Sequence, residues 1–205
     1  MIKGIRLGFF TLLHPFEGIL RLKQLRRGKF LTGLVFVLAY FLSQVFSIQV
    51  TSFSFVANAG EQMDIVLVFC VSVIPAVVFS IANWCFCTLT EGEAHLSEIW
   101  TTVGYALLPL ILFNILLAIL SRGLSLDESV IFTFINLIKN VWFVVYLVVV
   151  IMTVQQYSLG KTLFSMGLTI VGMAVILFLF LLIFSLFQQL FIFIRTIYSE
   201  LSFRR

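Results

Sequence analysis

The sequence predicts an all-α fold: a polytopic integral membrane bundle of about five transmembrane helices, preceded by an N-terminal amphipathic segment lying in the membrane interface. Three observations predict it. Of 205 residues, 61% are hydrophobic and only 11% charged, and mean hydropathy is +1.16, whereas a soluble domain carries roughly 25% charged residues. Several runs reach the ~20 apolar residues that cross bilayer hydrocarbon. Short polar stretches separate those runs. The chain divides into an interfacial segment, 1–29, one membrane domain, 30–194, and a short charged tail, 195–205.

The N-terminal segment holds Lys3, Arg6, Arg21, Lys23, Arg26, Arg27 and Lys29. Ile2, Ile5, Phe9, Leu12 and Leu13 fall between the charges at roughly helical spacing, which predicts a basic amphipathic segment in the interface plane. His14-Pro15 breaks it into two short helices, since proline suits the first position of a new helix. With no uninterrupted apolar core and no small-residue cleavage site, the segment does not read as a signal peptide.

Phe30–Val50 is the first expected span, followed by a turn over Thr51–Gln62 that has no Lys or Arg. Met63–Cys87 is the second, with Pro75 placed to kink it. Thr88–Glu98 is an acidic connection carrying Glu91, Glu93 and Glu98. Thr90 and Glu93 stand three apart as a capping box, which predicts a helix starting near Glu91. That helix runs into the third span, Ile99–Ser121, which Pro109 should also kink. Trp84, Trp100 and Tyr105 bracket the acidic turn, as interfacial aromatics do. Ser125 and Glu128 form a second expected capping box, opening a fourth span that ends near Tyr157. After the turn Ser158–Lys161, Thr162–Ile194 is the fifth span. It is longer than one crossing needs and too short for two, which predicts tilt or a projecting end.

Five spans put the termini on opposite sides. Lys and Arg accumulate in cytoplasmic segments, so the N-terminus is expected in the cytoplasm and the protein in the cell membrane. Arg195, Arg204 and Arg205 then fall outside, against the rule; the first helix is taken to dominate. The formal charge of +4 speaks of orientation and lipid headgroups rather than nucleic acid.

Few residues carry recognisable chemistry. Cys70, Cys85 and Cys87 read as small apolar residues, C-x-C being neither a redox nor a zinc spacing. Glu91, His95 and Glu98 would share one face of the expected helix, a thin set for a divalent cation; pairing of the acidic turn with the basic N-terminal segment is the stronger reading. Asn83, Asn114 and Asn136 are intramembrane amides suited to hydrogen bonds between helices. Lys139 is the basic residue inside a span. It either snorkels to the headgroups or faces the bundle, where its acceptors must be neutral: Asn114, Asn136, or carbonyls near Pro75 or Pro109. No nucleophile–base pair, phosphate loop or ligand run appears, so neither an enzyme nor a cofactor is expected.

His14-Pro15-Phe16-Glu17, Asn83-Trp84, Glu91-Gly92-Glu93, Tyr105-Ala106-Leu107-Leu108-Pro109, Tyr157-Ser158-Leu159-Gly160-Lys161 and Tyr198-Ser199-Glu200-Leu201, in this order, resemble bacterial members of the Ypt-interacting-protein (Yip) family over nearly the whole chain. The resemblance implies a five-span fold with a cytoplasmic N-terminus. Eukaryotic relatives are trafficking proteins that bind prenylated GTPases. Without a long soluble N-terminal region, that role is not expected here. Bacterial relatives are often encoded beside sugar-uptake ABC transporters, which implies a non-enzymatic accessory or scaffold role. Its partners would be the bilayer and another membrane protein or a second copy of the chain. A small-solute channel or transporter, with Lys139 and the asparagines lining its path, is the alternative. A membrane-surface sensor is the third.

The topology predicts that, in a cysteine-free background, Ala57→Cys labels from outside the cell and Ser97→Cys only from inside. The reverse pattern would refute it.

Overall fold

The computed structural model describes residues 10, 17–18, 20, 30–51, 64–90, 92–123 and 128–203. Arg21, Lys23, Arg26, Arg27 and Lys29, with nearly all of the expected interfacial segment, lie outside the described residues. So do the turn over 52–63, Glu91, Ser125, Arg204 and Arg205.

The described helices are α1 (Phe30–Val50), α2 (Ile65–Leu89), α3 (Leu96–Ala106), α4 (Leu108–Leu120), α5 (Ser129–Gln155) and α6 (Leu159–Phe203). The protein is an all-α membrane bundle: α3 and α4 are two halves of one crossing, and with them five helical segments are long and apolar enough to span a bilayer. Chain direction and three ties define two ends. At the proximal end, Trp100 Nε1 donates to Phe30 O at 3.0 Å, and Thr90 meets Tyr157. At the distal end, Arg122 Nε donates to Val50 O at 3.2 Å, placing a cation on the carbonyl-rich end of α1.

Local chemistry sets the boundaries. α2 opens at Asp64, whose carboxylate accepts from Val66 N and Leu67 N at 2.9 and 3.3 Å, a strong N-cap. α2 continues through Pro75. The third span instead breaks at Leu107, just before Pro109 in the first turn of α4. Pro109 has no N–H to return to the preceding turn, and Leu107 N–H is shared between Val103 O and Gly104 O. α5 stops where Gln156 turns left-handed, φ 56°.

Two expected starts are corrected. Thr90 closes α2 rather than opening α3: its N–H and hydroxyl both bond Phe86 O. Residues 92–95 are non-helical and α3 begins at Leu96, where Glu98 accepts from His95 N at 3.1 Å. α5 begins at Ser129, not near Ser125. At the other end α6 runs to Phe203 as one helix of 45 residues, roughly 67 Å. It thus continues through most of the expected tail.

The broken span is the centre of the bundle. α1, α2 and α5 pack on α3, while α1 and α5 also pack on α4; α6 leans mainly on α2. Trp100 and Tyr105, expected at the interface, are buried: Trp100 stacks on Phe30 and Tyr105 meets Phe36 edge-on. Trp84 stays at the surface. α1 and α3 approach so closely that a Cβ on Gly104 would lie 3.0 Å from the Cα and O of Gly33, and one on Gly33 would lie 2.6 Å from Trp100 Cδ1. Without a hydrophobic drive between helices in lipid, such small-residue crossings let dispersion hold them together.

Gly33→Ala is therefore expected to destabilise the protein by about 1–3 kcal/mol, as overpacking does, and to move Trp100 fluorescence. Gly167→Ala, whose added Cβ meets nothing within 4 Å, should not destabilise the protein in mixed micelles and gains up to about 1 kcal/mol of helix propensity.

Candidate functional site

Side-chain hydrogen bonds between helices within the spans form two clusters among the described residues, each joining three elements. In the distal cluster, Lys139 of α5 and Asn114 of α4 come together as the sequence suggested: Lys139 Nζ donates to Asn114 Oδ1 at 3.2 Å. Asn114 Nδ2 donates to Ser43 Oγ of α1 at 3.3 Å, and Ser43 Oγ donates to Tyr40 O at 2.7 Å. Gln44 Nε2 donates to Tyr40 Oη. Asn114 is 2% exposed, so its amide could not change partners without leaving a group unpaired. Lys139 is half-buried and faces the bundle, with a neutral acceptor. Among the described residues of the five spans the acidic side chain is Glu98, at the opposite end and engaged with His95 N–H.

The proximal cluster was only partly foreseen. Asn83 of α2 accepts at Oδ1 from Gln155 Nε2 of α5 and donates from Nδ2 to Thr169 Oγ1 of α6 at 3.1 Å. Thr169 in turn donates to Ser165 O. Asn83, Gln155, Ser165 and Thr169 are at most 1% exposed. Gln155 is the residue the sequence reading missed, because a glutamine at a span's end looks interfacial. The signal was present in the Thr162, Ser165, Thr169 spacing, which makes one polar stripe on α6. Gln155 Oε1 and Ser165 Oγ have no hydrogen-bond partner among the described residues.

Beyond Gln155 the two proximal turns are latched. The Thr90 and Tyr157 hydroxyls are 2.8 Å apart, and Tyr157 Oη also reaches Thr90 O. Gly92 N–H donates to Cys87 O at 2.8 Å, and a Cβ on Gly92 would collide with Cys87 Sγ and Tyr157 Oη. Lys161 Nζ lies 4.3 Å from the Tyr157 ring centroid. Motifs distant in sequence, around Gly92 and Tyr157, therefore meet at one end.

The remaining singled-out residues are dispersed. Asn136 is half-buried, and its side chain joins neither cluster. The premise of a helix presenting Glu91, His95 and Glu98 on one face is corrected: Glu91 lies outside the described residues, His95 precedes α3, and Glu98, buried rather than solvated, caps the helix start. Glu93 is exposed. Among the described residues no three His, Cys, Asp or Glu side chains gather as a metal set. The three cysteines are free thiols.

Where α3 gives way to α4, a cleft of about 250 Å³ separates α2 from α5. Pro75 and Ala76 form one wall, Phe143 and Leu147 the other, and Leu107 the floor. Tyr40 and Ser72 are its polar side chains; Ser72 Oγ bonds its own helix at Val68 O. The arrangement can hold apolar matter and lock helices together.

The sequence matches a family profile described as the Yip1 domain over residues 9–184. No curated protein and no solved structure matches the chain.

If the proximal cluster locks α2 to α5, Asn83→Ala and Gln155→Ala should be non-additive. A double-mutant cycle is expected to give a coupling of about 0.6–1.7 kcal/mol, the range of interhelical hydrogen bonds in membranes. Additive effects would mean the bond contributes nothing.

Proposed function

The chain belongs to the Yip1-domain family, and on that premise we propose that it is a non-enzymatic accessory or scaffold protein of the cell membrane, with its N-terminus in the cytoplasm. The observation that carries this reading is how the intramembrane polar groups are used. Lys139, Asn114, Asn83 and Gln155 bond to one another across helix contacts. A solute path needs such groups facing an aqueous passage, and the cleft that the spans leave at mid-depth is apolar. This use of the polar groups, and the apolar lining of the cleft between α2 and α5, favour the scaffold reading over the channel one.

The surface supports a partner. From Leu177 to Ser199, every residue of α6 is exposed, and the phenylalanines and leucines there surround the helix on all sides. Part of this surface meets lipid; an accessory protein would use the rest against another membrane protein or a second copy of itself. The sugar-uptake ABC transporter implied by the family resemblance is the first partner to test. Pairing of Glu93 with the basic N-terminal segment would orient that segment on the cytoplasmic face, each exposed pair contributing at most roughly 1 kcal/mol.

Affinity purification in mild detergent should recover one membrane complex in fixed ratio with the tagged chain. Proteoliposomes containing the chain alone should leak sugars and ions no faster than empty vesicles. Recovery of a partnerless monomer together with solute flux would replace this reading by the channel one.

A further inference from the structure

The distal polar cluster and the apolar cleft lie one helical turn apart on the same three helices. Tyr40, Leu110 and Phe143 line the cleft. One helical turn further toward the distal end, about 5.4 Å, the same helices carry Ser43 and Gln44, Asn114, and Lys139. α1 and α4 run toward that end and α5 runs away from it, so all three steps point the same way. The ammonium and its hydrogen-bonded support thus lie one turn beyond the cleft, on three of the helices that line it. The cleft is also unsealed: Val71 on its rim is 65% exposed, and Tyr40, Phe143 and Met173 are half-buried.

Two demands follow. Among the described residues the ammonium is held by one neutral oxygen, Asn114 Oδ1, and a bound anion would pair the charge that the membrane otherwise penalises. The cleft lies at bilayer depth, where the surrounding medium is hydrocarbon, and its walls are apolar. At about 250 Å³ it is below the roughly 300–1,000 Å³ of drug-sized ligand pockets and suits part of a single chain. Depth also fits. α5 has 27 residues, about 40 Å against a hydrocarbon core of about 30 Å. Lys139 therefore starts some 10 Å below the distal boundary, and its side chain leans toward the N-terminal, distal end of its helix.

The geometry points to a binding site for an anionic phospholipid, with its phosphate at Lys139 and the distal end of one acyl chain in the cleft between α2 and α5. Asn114 positions the ammonium, and Ser43 orients Asn114. The site adds a ligand to the proposed accessory role and does not depend on it.

The test is native mass spectrometry of the intact chain released from nanodiscs containing equal amounts of phosphatidylglycerol and phosphatidylcholine with identical acyl chains. The wild type should retain phosphatidylglycerol about tenfold over phosphatidylcholine. Lys139→Gln should bring that ratio to about one while lipid is still retained. Ala76→Leu, which fills the cleft, should reduce retention of both lipids; Leu147→Trp serves if Ala76→Leu does not fold. Equal retention by the wild type, or a ratio unchanged in Lys139→Gln, would overturn the proposal. Oleate displacing phosphatidylglycerol at equal concentration would also overturn it, by reassigning the site to a free fatty acid.

Discussion

The close crossing of α1 and α3 at Gly33 and Gly104 is the contact on which the rest of the bundle depends. Two backbones touch there, which brings the Trp100 indole onto the first carbonyl of α1 and seats Tyr105 against Phe36. With α3 fixed to α1, its other faces receive α2 and α5. Lipid tails are as apolar as leucine, so burial alone gives no reason for these helices to associate; close packing and hydrogen bonds supply it. The break before Pro109 then redirects the second half of the span toward α1 and α5, and leaves the cleft at the bend.

Polar contacts specify the register that packing alone would leave loose. An amide in hydrocarbon has no water to turn to, so sliding α2 past α5 would separate Asn83 from Gln155, and sliding α4 past α1 would separate Asn114 from Ser43. One cluster secures each half of the bundle. The proximal one is supported further by the Thr90–Tyr157 latch, which holds together the two turns that follow α2 and α5.

The five crossings were legible because a run of apolar residues has few alternatives once it is long enough. The Lys139–Asn114 contact was legible for a related reason: without acidic groups nearby, the set of acceptors for a buried ammonium is short. Helix starts were not legible. Thr90 with Glu93 fits the capping pattern, but the Thr90 N–H and hydroxyl close α2 on Phe86 O, and Tyr157, far along the chain, also meets that hydroxyl. That Trp100 is buried against Phe30 rather than exposed was not legible, since only the place of α3 in the bundle covers it. Gly33 and Gly104 lie in different spans, and their meeting leaves no mark in either segment. For the site itself, the asparagines could be named but not paired, since pairing depends on how helices are rotated about their axes.

The narrow attachment of α6 bears on how the protein is made. Buried residues described on this helix end at Thr169, and from Leu177 to Ser199 none is even half-buried. The Gly33–Gly104 crossing and the Gln155 bond to Asn83 lie within the first four spans, and α6 adds its contact with α2 around Thr162, Ser165 and Thr169. What the nascent four-span intermediate lacks is an acceptor for Asn83 Nδ2, which Thr169 supplies early in the emergence of α6. A chain shortened before Thr169 would therefore leave the Asn83 amide donor without its acceptor in hydrocarbon, a costly state.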